Sequence, residues 1–342
     1  MHYRIDVYRE LTKRFDVLVG CSSVLDESDG LNVLECPEIS FRSFRWQRGM
    51  VWKAFWFRPH VIWLFADVNY VSSFALILLS RFYRARVVLH GQGFFKPSRS
   101  SFLREKALRI WMLFCSRYVC YAEICKQSLV RVGFQEDKLC VVRNRFESAN
   151  RLAHEKKMDG SGVLFVGRLR QGSGLDKLVR MIHVLNSRRE AKIILHVVGD
   201  GPQRSELEGT CDRRYVRFYG ALVGYDAIAP IATECVCGIY PGKAGLSVLT
   251  YLQHGLPVIC DEEVSSHMGP EPSFLSDNKD SFLFSNRRAR LLEDVLGKYL
   301  EMTDAQKRQV SQYALETFKH LHKTPYSAEM ADVIASVIHP SQ

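Results

Sequence analysis

The chain has 342 residues, 47% of them apolar and 25% charged, with a net charge of +10. These values suit a soluble globular protein of about two domains and exclude a disordered, collagen-like or low-complexity chain. The charge is uneven: residues 41–117 hold 14 basic and 2 acidic side chains, whereas residues 151–342 hold 24 and 23, so one aromatic-rich stretch suits an anionic partner such as phosphate, a membrane face or nucleic acid.

In chain order, the opening MHYRIDVYRE lacks the apolar run of a secretory leader. FDVLVGCSS (15–23) reads as a strand. WQRGMVWKAFWFRPH (46–60) reads as a helix with Trp46, Met50, Ala54 and Phe57 on one face, widened by Trp52, Phe55 and Trp56 and flanked by Arg45, Arg48, Lys53 and Arg58. Such a face fits either a bilayer interface or the underside of a sheet. HVIWLFAD (60–67) is a strand, followed by a helix over 70–83. The apolar run from Val61 to Leu79 contains Asp67 and Asn69, so it is expected to be a strand and a core helix, not a membrane span. ARVVLHGQG (85–93) is a strand running into a glycine loop; a basic helix (100–115) and strands RYVCYAE (117–123) and KLCVVRN (138–144) follow. A polar stretch, 150–162, reads as a linker. The pattern then restarts: VLFVGRL (163–169), a helix to about 187, AKIILHVVGDG (191–201), a helix, YVRFYGAL (215–222), ECVCGIYPG (234–242), a helix, GLPVICDE (255–262) and a long helical C-terminus. Uniformly apolar strands alternating with helices predict parallel sheets covered on both faces. The expected architecture is α/β: two Rossmann-like domains, 1–150 and 151–342, facing a cleft. The ten cysteines contain no CxxC pair and read as ordinary core or surface thiols, with neither disulfides nor a metal site.

The chemistry-bearing residues collect at strand-to-helix junctions of the second half, where open α/β sheets bind ligands. Gly167 and Arg168 end one strand, Gly199, Gly201 and Pro202 follow the next, and Gly242 and Gly245 stand before a helix. Backbone N–H groups at such junctions together with an arginine suit an anion, and Gly245 lets the backbone approach a phosphate closely.

This order of motifs resembles the C-terminal half of retaining glycosyltransferases of the GT-B fold, glycosyltransferase family 4. The residues that carry the likeness are Gly167-Arg168-Leu169, Gly199-Asp200-Gly201-Pro202, Val216-Arg217-Phe218-Tyr219-Gly220, Gly245-Leu246-Ser247 and Gly255-Leu256-Pro257-Val258-Ile259. Weaker likeness covers 2–14, 87–95 and 121–144. The resemblance implies transfer of a sugar, with retention, from a UDP- or GDP-linked donor to a glycan or lipid-linked acceptor in surface-polysaccharide assembly. It also implies a hexosyltransferase-type enzyme at the cytoplasmic face of a membrane, with no cofactor and no metal. It places Gly167, Arg168, Gly199, Gly201, Tyr219, Gly220, Gly242, Gly245, Leu246, Ser247 and Thr250 around the donor. His90 and Arg168 are the catalytic candidates; His90 either orients an acceptor hydroxyl or bonds a nearby backbone group. Gly91, Asn144, Arg145, Ser173, His267 and Glu271 are further cleft candidates, and the last helix is expected to pack back on the first domain.

The departures from the family pattern are specific. Ser173 stands where a lysine usually holds the diphosphate, and Gly242 and Thr250 stand where two glutamates usually face the donor. The wording YPGKAGLS looks like a polysaccharide-assembly branch without the first glutamate, and Glu271 is a candidate replacement. The sequence begins at Met1-His2-Tyr3-Arg4, without the strand that the family places before its first loop, so either the first domain lacks that strand or the sequence lacks its start. These losses suit a rival reading, a non-catalytic nucleotide-sugar-binding or scaffold protein. A nucleic-acid binder, suggested by charge alone, has no recognition motif behind it. An anionic membrane surface is the partner expected for the basic N-terminal half.

Overall fold

The computed structural model describes residues 4–23, 30–96, 101–147, 160–285, 287 and 290–339. The first three residues and most of the expected linker, residues 150–159, lie outside these. The chain divides into two compact units, residues 1–148 with 324–342, and residues 149–323.

In the first unit, α1 (Ile5–Thr12) leads to β1 (Leu18–Cys21), which pairs in parallel with β2 (Asn32–Glu35). β3 (Glu38–Phe41) and β4 (Phe44–Gln47) form an antiparallel hairpin, and α2 (Met50–Phe57) follows. The main sheet is β5 (Val61–Phe65), β6 (Arg86–Gly91), β7 (Cys115–Cys120) and β8 (Leu139–Val141), in that order and all parallel. Its crossovers are α3 (Val71–Tyr83), α4 (Ser101–Phe114) and α5 (Glu123–Arg131). The helix expected to include Trp46 begins later. Trp46 lies in β4 opposite Ile39, and Gly49 precedes α2, so the hairpin and the helix share the aromatic residues between them.

In the second unit, β9 (Gly162–Val166), α6 (Leu175–Arg188), β10 (Ile194–Val198), α7 (Arg204–Thr210), β11 (Val216–Gly220), α8 (Tyr225–Thr233), β12 (Cys235–Tyr240), α9 (Ser247–Gln253), β13 (Val258–Asp261) and β14 (Ser281–Phe284) alternate. The six strands form one parallel sheet in the order β11-β10-β9-β12-β13-β14. β9, β12 and β13 are almost wholly buried, which accounts for their continuous apolar runs. The long helical C-terminus is instead a strand and three helices: β14, α10 (Leu292–Leu300), α11 (Asp304–Leu321) and α12 (Tyr326–Ile338). The breaks have local causes. Thr303 accepts from the Gln306 N–H while the Gln306 side chain returns to the Thr303 N–H, a reciprocal cap that starts α11 afresh. Pro325 caps α12. All ten cysteines are free thiols, and no helix of the described residues is long and apolar enough to cross a membrane.

α12 belongs to the first unit. Its apolar stripe, Tyr326, Met330, Ala331, Ile334 and Val337, joins Val7 and Leu11 of α1 over Val88 and Val119 of the main sheet and Val142 just beyond β8. Polar groups fix where this helix begins. Arg145, 2% exposed, donates to the Thr324 carbonyl at 2.7 Å and to the Glu329 carboxylate at 2.6 Å. The Glu147 carboxylate accepts from the Ser327 N–H at 2.9 Å and from its hydroxyl. Arg145 is buried but the Glu329 carboxylate is one-third exposed, so removing Arg145 loses a charge-assisted hydrogen bond worth about 1.5–3 kcal/mol without stranding a buried charge. Arg145→Met is therefore expected to lower unfolding stability by about that amount in urea and to expose α12 to proteolysis; unchanged stability and protection would contradict the role of Arg145 as the anchor of α12.

Candidate functional site

The strand order of the second unit creates a crevice at one place. From β9 the chain steps outward to β10 and β11, then returns to the other side of β9 as β12 and continues to β13 and β14. The connections leaving β9 and β12 therefore run toward opposite edges of the sheet, and such switch points are where open α/β sheets bind ligands.

Four loops are laced together here through the backbone. The Gly167 N–H donates to the Val198 carbonyl at 3.0 Å, Leu169 to Asp200 at 2.9 Å, and Gly199 to Gly220 at 2.7 Å. Gly199 and Gly201 have φ of +140° and +154°, and a Cβ on either would overlap the Gly167 or Leu169 carbonyl. The Gly-Asp-Gly sequence is thus required by close approach and by conformation. On the other side of the crevice, the Lys243 N–H donates to the Gly172 carbonyl at 3.0 Å. A Cβ on Gly242 would stand 2.2 Å from that same carbonyl oxygen. Ser173 is fully buried, and its hydroxyl accepts from the Leu175 N–H at 3.3 Å.

The loop after β13 closes on Ala244. The Ala244 N–H donates to His267 Nδ1 at 3.1 Å, and the Ala244 carbonyl accepts from Met268 N–H at 2.8 Å. His267 Nε2 in turn donates to the Asp261 carbonyl at 2.8 Å, so both ring nitrogens of this buried histidine are engaged with backbone. Glu271, 1% exposed, folds its carboxylate over Gly269, with Oε2 4.0 Å from the position of a Cβ on Gly245. Gly245 itself has room: a Cβ there meets only Met268 and Glu271 at ordinary contact distance. Leu246 and Ser247 open α9, and Thr250 is half-buried one turn on. Tyr219, next to last in β11, has its hydroxyl 2.8 Å from His196 Nδ1. Arg168 is exposed and has no ion-pair partner among the described residues.

Two tyrosines were not legible as part of this site. Tyr240 stacks on Phe165 and fills the space where Gly167 would carry a side chain. Burial pushes its hydroxyl pKa up, against the pull of the nearby Arg170 charge. Tyr251 accepts from the Val166 N–H at 2.8 Å and packs where Gly238 lacks a Cβ. The one signal was Gly238, a glycine inside an apolar strand.

The first unit holds a second group of candidates. His90 is the last residue but one of β6; its Nδ1 donates to the Leu64 carbonyl at 3.0 Å, leaving Nε2 as the lone-pair nitrogen. Its ring lies among Trp63, Phe65 and Tyr121, with centroids 5.2–5.6 Å away. Burial, and then the Arg4 charge, bring its pKa down to about 3. Arg4 is itself buried, donating to Asn144 Oδ1 at 2.9 Å and lying 4.3 Å from the Tyr326 ring. Arg4 was read in the sequence only as part of the opening Met1-His2-Tyr3-Arg4 loop, not as a partner of Asn144. Gly91 is needed beside the Tyr118 hydroxyl. Asn144 thus joins the His90 group through Arg4, whereas Arg145 is committed to α12. Among the described residues no group of three His, Cys, Asp or Glu side chains could hold a metal ion.

The family described as Glycosyl transferases group 1 matches residues 160–301. No curated protein matches the chain. Among solved structures, Anabaena HepE in complex with UDP and glucose is similar at 14% identity and a TM-score of 0.70, over 98% of this chain and 95% of that one. A Rickettsia africae glycosyltransferase is similar at 13% identity and 0.69, over 99% and 95%. The lipopolysaccharide outer core galactosyltransferase WaaB, in its apo form, is similar at 13% and 0.57, over 84% and 78%. The fold is therefore the α/β GT-B kind.

A histidine depressed from 6.5 to about 3 takes up its proton in the unfolded chain first. Stability at His90 is then present above pH 6.5 and lost as pH falls toward 3, by up to about 1.4 kcal/mol per pH unit. His90→Gln is expected to flatten the fall in melting temperature between pH 7 and 5; an identical slope in both proteins would contradict a His90 kept neutral by the fold.

Proposed function

We propose that this chain is a glycosyltransferase that moves a sugar, with retention, from a nucleotide-diphosphate donor to a glycan or lipid-linked acceptor in surface-polysaccharide assembly. The observation that carries the reading is the crevice at the β9/β12 switch, walled by glycine backbone and bordered by Arg168, inside the segment that matches Glycosyl transferases group 1. Anabaena HepE, similar over nearly the whole chain, holds UDP and glucose.

In this reading the nucleotide sugar is a co-substrate and no cofactor is called for. Arg168 and the amides of Gly245, Leu246 and Ser247 stabilise the charge that develops on the departing diphosphate. The departing diphosphate assists removal of the acceptor proton on the face it leaves. Glu271 accepts from hydroxyls of the donor sugar, and Thr250 from the ribose. In the first unit His90, neutral at working pH, offers Nε2 to an acceptor hydroxyl and orients it. A second reading, a sugar-nucleotide binder without turnover, is favoured by Gly242, where the backbone leaves no room for a carboxylate. Release of nucleoside diphosphate from UDP-glucose or GDP-mannose decides between the two.

We further propose attachment at the cytoplasmic face of an anionic membrane through the first unit. The β3–β4 hairpin exposes Ile39, Phe41, Phe44 and Trp46, and α2 has no buried residue, with Trp52 62% and Trp56 61% exposed. Arg42, Arg48, Lys53 and Arg58 stand among them. Each cation near an anionic surface adds about 1 kcal/mol, and the aromatics insert at headgroup depth.

Two outcomes follow. Gly245→Val is expected to keep the fold, since its Cβ has room, but to abolish binding of UDP and GDP; Arg168→Ala should weaken the same binding by about 1.5–3 kcal/mol. Calorimetry showing both variants unchanged, where the native protein binds, would refute the donor site. Separately, sedimentation with phosphatidylglycerol vesicles at low salt should carry the protein down, phosphatidylcholine vesicles should not, and Trp52→Ser with Trp56→Ser should release it. Equal binding to both vesicle types would refute the membrane surface.

A further inference from the structure

The second unit pairs most of its surface arginines. Arg180, Arg204, Arg214, Arg217, Arg287 and Arg290 each lie within 3.5 Å of an aspartate or glutamate oxygen. Arg168, Arg170 and Lys243 at the switch crevice have no acidic partner among the described residues, as is also true in this unit of Arg189, Arg213, Arg308 and the other lysines; these three are set apart by standing on two loops that meet. Cations left without acids on two loops that meet backbone to backbone make a local field suited to an anion.

Lys243 is the informative member, because it comes from the opposite wall. Its N–H is bonded to the Gly172 carbonyl, and its Cδ lies 3.9 Å from where Gly172 would carry a Cβ. The side chain therefore runs alongside the β9 loop that bears Arg168 and Arg170. Gly242 makes this possible: any side chain there would strike Gly172 and Ser173 and lift the β12 loop away. Ser173 is buried and brings no charge. The close approach that excludes a side chain at 242 thus delivers a lysine at 243.

We infer that Lys243 is a binding residue for the diphosphate of the donor, acting with Arg168 and Arg170; the inference rests on the donor-site reading above. As a flexible point charge rather than a fixed fork, it requires charge at this place more than one geometry. The measurement is calorimetry of UDP, GDP and the corresponding monophosphates with the native protein, Lys243→Ala, Lys243→Arg and Lys298→Ala, the last removing an equal charge from the exposed side of α10. Lys243→Ala should lose about tenfold in affinity for the diphosphate and clearly less for the monophosphate, with Lys243→Arg keeping most of it and Lys298→Ala unchanged. Native-like binding of the diphosphate by Lys243→Ala, or an equal loss for diphosphate and monophosphate, overturns the role of Lys243 and leaves the donor site standing. A native protein that binds neither UDP nor GDP overturns the donor site itself.

Discussion

The second unit depends on one close contact, the Gly242 backbone lying directly on the Gly172 carbonyl. Two adjacent parallel strands send their chains in opposite directions here, and only backbone separates the loops that follow. The contact sets where Lys243 and Ala244 stand, and through Ala244 it sets the β13 loop with His267 and Glu271. A residue with a side chain at 242 would separate the two walls and change the whole arrangement.

That constraint accounts for the site chemistry. A crevice walled by glycine backbone has few side chains with which to hold a ligand, so recognition falls to amide N–H groups and to cations at its border. Acids that would neutralise those cations are placed elsewhere in the unit, in pairs such as Arg204 with Glu208 and Arg290 with Asp277. The first unit follows a different logic. There a buried arginine, Arg4, and three aromatic rings keep His90 neutral, and a second buried arginine, Arg145, holds α12 against the sheet.

Much of the fold was legible because both main sheets are parallel and their inner strands, β6 and β7 in the first and β9, β12 and β13 in the second, are mostly buried. Their strands write continuous apolar runs, and glycines with positive φ or close contacts mark the junctions. The β3–β4 hairpin was not legible: its residues are almost all exposed, so no burial pattern separates it from the helix that follows. β14 has four residues, too few to stand out before three helices. Within the site, the glycine positions could be read because backbone sterics dictate them. His267 and Arg145 could not, because a polar side chain in a motif looks the same whether it meets ligand or the protein's own carbonyls. Arg4 could be read as part of the opening loop, but not its burial, because its partners, Asn144 and Tyr326, are far away in sequence.

The central claim is that the β9/β12 switch crevice receives the diphosphate of a sugar nucleotide. A crystal structure of the protein with bound UDP tests it most directly. The account predicts diphosphate density between the loop 167–173 and the loop 242–247, within hydrogen-bond distance of groups on both. Nucleotide bound in the first unit, or on the second away from this crevice, would contradict it.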